Sequence, residues 1–144
     1  MNKYPTEELL KILNSADSVS DLKEYDQNLK DDLTCAGFAD YISQKKQALG
    51  ISSGELIQRS GIQRTYGYQI LSGEKNPGRD KVIALCLALS LPLDDTQRAL
   101  TLAKESVLYP RIRRDSIIIF GINNNMSVQD LNDLLFDLKE NILN

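Results

Sequence analysis

Apolar positions recur along this chain at spacings of three and four residues, the period of helices lying on a core. Thr6 precedes Glu7-Glu8-Leu9-Leu10-Lys11-Ile12-Leu13, a capped start with acids in its first turn, and Val19, Leu22, Tyr25 and Leu29 continue the period over residues 18–33. Phe38, Tyr41, Ile42 and Leu49 form the next face, which Gly50 stops. In Ser52-Ser53-Gly54-Glu55 a serine stands three residues before a glutamate, the pattern of a capping box. The helix that follows ends at Gly61 after about two turns, and helical spacing resumes at once with Gly67, Ile70 and Leu71. Two short helices therefore meet through a glycine turn.

Gly73 ends the second of them and Glu74-Lys75-Asn76-Pro77-Gly78 reads as a loop. Residues 79–90 are apolar nearly all round, which predicts the central buried helix. Asp94 with Gln97 three residues on predicts an aspartate-capped helix running through Lys104. The run Ile117-Ile118-Ile119-Phe120 is compatible with a strand or a buried helix, and helix is the expectation. Ser127 caps a last helix with Leu131, Leu134, Leu135, Leu138 and Ile142 on one stripe, read first as a core face and second as a partner interface. The expected class is all-α.

Composition narrows the function. The 144 residues include no histidine, so the commonest general acid-base and the usual activator of a Ser or Cys nucleophile are missing, and no enzyme is expected. Cys35 and Cys86 make neither a disulfide framework nor, without histidine, a usual zinc site; Cys86 sits in an apolar stretch as a small hydrophobe, and no metal or cofactor is expected. The longest apolar run, residues 82–89, is too short to cross a membrane, and no secretion signal opens the chain, so the cytoplasm is the expected compartment. The net charge of −3 is unevenly spread: residues 1–33 carry −4, residues 34–114 carry +5 and residues 115–144 carry −4. Phosphate binding responds to the field of one face, so the basic middle keeps nucleic acid in play.

The segment from Leu49 to Gly73, with Gly61 in the turn, a closing glycine, the Lys75-Asn76-Pro77 loop and the apolar helix after it, closely resembles the lambda-repressor-like helix-turn-helix family, also called the xenobiotic-response-element family. The likeness covers roughly residues 38–91. It implies a helix-turn-helix DNA-binding domain over residues 34–109 between a helical acidic extension, 1–33, and a helical C-terminal extension, 110–144, packed on the domain or forming an interface. It also implies that residues 64–72 enter the major groove of double-stranded DNA. Helical geometry separates Gly67, Ile70 and Leu71 from Arg64, Thr65, Tyr68 and Gln69, and the second set is equipped for base edges: Arg64 for guanine, Gln69 for adenine, Thr65 for the thymine methyl. Ser53, Gln63, Tyr66, Lys75 and Arg79 are the expected phosphate contacts. For Arg111, Arg113 and Arg114, pairing with Asp31 and Asp32 or plain solvation is favoured over phosphate. A homodimer on an inverted repeat is implied, with its surface unassigned.

The competing reading is a protein-interaction module, antitoxin-like or adaptor, that reuses the same fold. One departure from the family pattern has a packing consequence. The family usually carries a small residue at the place of Ile57 and a β-branched one at the place of Gly67; here the sizes are reversed, so Ile57 is expected to fill the space that Gly67 vacates.

Overall fold

The structure is a computed structural model and describes residues 37–144, among which all regular elements are helices. The helices expected over 7–13 and 18–33, with Asp31, Asp32 and Cys35, lie outside the described residues. In chain order the elements are α1 (Phe38–Leu49), α2 (Ser53–Ser60), α3 (Arg64–Leu71), α4 (Arg79–Ala88), α5 (Leu93–Leu102), α6 (Arg113–Asn123) and α7 (Val128–Asp137).

Local chemistry sets most of the boundaries. Gly50 closes α1 in the left-handed conformation, φ 78°, and its amide donates to Gln47 and Lys46 carbonyls. Ser52 Oγ accepts the Glu55 amide at 3.1 Å and so opens α2. Only half of the expected capping box forms, because the Glu55 carboxylate turns to Arg59 at 2.7 Å. Gly61, φ 72°, reverses the chain, and the buried Ser60 hydroxyl braces the turn by donating to Ile57 O and accepting from Ile62 N. Ser127 Oγ caps α7 on the Asp130 amide as expected. The expected Asp94 cap is corrected: Pro92 occupies the N-cap position, so Asp94 and Asp95 fall in the first turn, where a carboxylate favours the helix through its dipole. The helix also ends at Leu102 rather than Lys104, and Gln97 turns to the Leu108 backbone, donating to its carbonyl and accepting from its amide.

Helix α4 is the centre of the body. Residues 82–89 are all buried, and α2, α5 and α7 pack around the helix. The run 117–120 is helical, with Ile118 fully buried. One hydrophobic core runs from Phe38 to Leu143, so the C-terminal helices pack on the central ones. Of the C-terminal stripe, Leu131 and Leu135 are fully buried, Leu134 is half-buried, and Leu138 and Ile142 lie past the helix end and are exposed.

Two ion pairs cross between α4 and α6 in opposite senses. Arg79 holds Asp115 through both guanidinium ends at 3.0 and 2.8 Å, while Arg114 holds Asp80 at 3.2 and 2.9 Å. Arg113 pairs with Glu140 and donates to Leu138 O. Arg113 and Arg114 thus find partners at Glu140 and Asp80, whereas Arg111 is exposed.

Candidate nucleic-acid interface

The placement of α3 follows from one glycine. A Cβ on Gly67 would meet the Ile57 side chain at 2.8 Å, so α2 and α3 approach at a distance that only glycine permits. Ile57 fills the space that Gly67 vacates, as their exchanged sizes imply. Ile70, 1% exposed, anchors the same side of α3. With that side committed, helical geometry turns Arg64, Thr65 and Tyr68 to solvent and leaves Gln69 half-buried. These four residues line one shallow depression of about 480 Å³, together with Ser72 and Glu74.

Within it, the Arg64 guanidinium stands 5.8 Å from the Tyr68 ring centroid, a cation–π arrangement. Tyr68 leans across the start of α2, where its hydroxyl would lie 3.3 Å from a Cβ at Gly54. The next residue back, Ser53, accepts a hydrogen bond from Lys46 Nζ at 2.7 Å. The first turn of α2 and the outer face of α3 are thus one continuous polar surface with cations at Arg64 and Lys46. Residue spacing gave no reason to single out Lys46; its only signal was the Lys45-Lys46 pair, of which Lys45 is committed to Asp95 at 3.2 Å.

The other expected phosphate contacts divide. Gln63 is the N-cap of α3, its side-chain oxygen accepting the Tyr66 amide at 2.8 Å. Tyr66 is half-buried against the core, with Lys81 Nζ 6.0 Å from its ring centroid. Lys75 is exposed beyond the end of α3, its amide bound to Gln69 O at 3.1 Å. Arg79 is a correction. Its Nε and Nη2 donate to Ser106 and Val107 carbonyls while both ends grip Asp115, so the side chain fastens α4 to the segment before α6. Glu74 adds an acid to the rim of the depression.

Among the described residues no cluster of three or more His, Cys, Asp or Glu is arranged to hold a metal ion, and no helix is long and apolar enough to cross a membrane. Burial pushes the Cys86 thiol up to about 12, against a lowering hydrogen bond with Thr96, so it is a core atom with little thiolate at neutral pH. Comparisons with protein-family models, with curated proteins and with solved structures find no match to this chain.

Proposed function

We propose that the protein is a non-enzymatic, sequence-specific DNA-binding transcriptional regulator of the lambda-repressor-like kind, acting in the cytoplasm as a homodimer on an inverted repeat. The observation that carries this reading is the segregation of α3: its small and apolar residues face Ile57 and the core, while Arg64, Thr65, Tyr68 and Gln69 share one solvent-facing depression. In the proposed complex Arg64 forms a bidentate contact with guanine, Gln69 one with adenine, and Thr65 and Tyr68 meet thymine methyls. Ser53, Gln63, Tyr66, Lys75 and the added Lys46 contact phosphates and set register. Arg79 has no place in this set.

A protein-interaction module is the second reading, favoured by Glu74 at the rim and by the acidic overall charge. Selection of bound duplexes from a random library, followed by shift assays across salt, separates the two. The DNA reading expects one enriched motif and an affinity that falls steeply and log-linearly with salt. An unenriched library with no salt-sensitive binding overturns it.

A further inference from the structure

Among the described residues the most exposed large apolar side chain is Phe136 on α7, 76% exposed. It does not stand alone. Phe136 lines a groove of about 430 Å³ together with Asp133 on the same helix, Ile142, and the end of α2 at Gln58, Arg59 and Gly61. The exposed phenyl ring and the exposed Ile142 side chain thus border one recess on the surface.

We infer that this groove receives Phe136 of a second copy of the same chain, related by a two-fold axis. The argument is self-complementarity. A two-fold interface apposes one patch to itself, so a patch suited to it must carry both members of every pair it makes. This one carries a projecting ring and a recess next to it, and also a cation and an anion. Asp133 has no ionic partner among the described residues, and Arg59 uses only Nη2 on Glu55, leaving most of its five donors unused. Across the axis Arg59 of each copy meets the other's Asp133 while the two rings exchange grooves. A partner of a single charge would leave one of these ions facing its own sign.

The location suits the proposed regulator. None of Arg64, Thr65, Tyr68 and Gln69 lines the groove, so the interface leaves the α3 depression open, while Gly61 sets its edge beside the α2–α3 turn. For that link to DNA the inference rests on the reading above; the interface itself does not. Its test therefore omits DNA.

Sedimentation equilibrium of the full chain is expected to give twice the 16.2 kDa chain mass at micromolar concentration. Phe136→Glu should weaken association at least tenfold, whereas Phe120→Ser, which removes an exposed ring elsewhere, should leave it unchanged. Arg59→Asp and Asp133→Arg should each weaken association by placing like charges across the axis, and the double variant should restore it. Phe136 and Arg59 are exposed, so unchanged helical circular dichroism in the variants separates lost association from lost folding. A wild-type monomer at all concentrations, or a double variant no better than the singles, overturns the interface. A monomer in which Phe136→Cys, in a Cys35→Ser background, resists a maleimide also overturns it, because the site is then covered without a second copy. Failure of DNA selection with the dimer intact would strike the function and leave the interface standing.

Discussion

On α3 the side chains at 64 and 69 carry donors and acceptors whose spacing matches a base edge, whereas Lys75 beside them is a mobile point charge. Arg64→Ala and Gln69→Ala are each expected to lose about 1 to 3 kcal/mol of discrimination at particular base pairs. Lys75→Ala should weaken every sequence alike and make the salt slope shallower. Competitive binding of the selected site against single-base variants is the measurement; an unchanged base preference in both alanine variants at 64 and 69 would remove α3 from the reading role. Buried in the other direction, Cys86 is 0% exposed and its thiol is pushed up to about 12 by burial. Its alkylation at pH 8 should follow the urea unfolding curve, because reagent and thiolate meet only when α4 is released; modification at native urea concentrations would contradict the packing.

Between elements, the close crossings decide geometry. A Cβ at Gly67 would sit 2.8 Å from Ile57, and one at Gly121 would sit 2.8 Å from Leu131, so α2–α3 and α6–α7 each approach through a glycine. Gly67→Ile should overpack and Ile57→Ala should leave a cavity, each costing about 1 to 4 kcal/mol, and the double change should recover much of both. A denaturation cycle measures the coupling, and additivity within about 0.5 kcal/mol would mean that the two side chains do not respond to one another. The first crossing was legible only through the family resemblance, against whose pattern a large residue and a glycine stand in exchanged places on two adjacent, well-delimited helices. The second was not, since nothing local tells which residue will lie opposite Gly121. Caps show the same divide. Ser52 and Ser127 were legible because a hydroxyl three residues before its amide target is a local pattern. At α5 the same pattern misled: Pro92, with φ −67°, already has the backbone of a helix start and moves it two residues ahead of Asp94. Arg79 was misplaced for a third reason, because its partner Asp115 stands 36 residues away and becomes its neighbour only when α4 and α6 pack.

At the scale of the whole molecule, that last contact ties the C-terminal helices to the central ones. The core is continuous from Phe38 to Leu143, and the Arg79–Asp115 and Arg114–Asp80 pairs bridge the N-terminal ends of α4 and α6, so the described body is expected to unfold as one cooperative unit. Asp115 is 2% exposed. Burial pushes its carboxyl up, but hydrogen bonds from Arg79 and from the Tyr109 amide, with the charges of Arg79 and Arg114, outweigh burial and hold it below the usual carboxylate range. A carboxyl whose folded pKa lies below its unfolded value stabilises the fold fully above the unfolded value, and that contribution disappears as pH falls through the folded one. Stability should accordingly be flat near neutrality and decline from the ordinary carboxylate range downwards, below about pH 4. Asp115→Asn leaves the Arg79 charge largely buried without its counter-ion, which at neutral pH should cost about 3 to 5 kcal/mol. In the parent the same carboxylate is neutralised by acid, so the gap between parent and Asp115→Asn should narrow as pH drops. Urea midpoints for both proteins between pH 7 and pH 3 decide it. A gap that stayed constant across that range would mean that Asp115 is not ionised in the native state, and that the α4–α6 junction is held by shape rather than by charge.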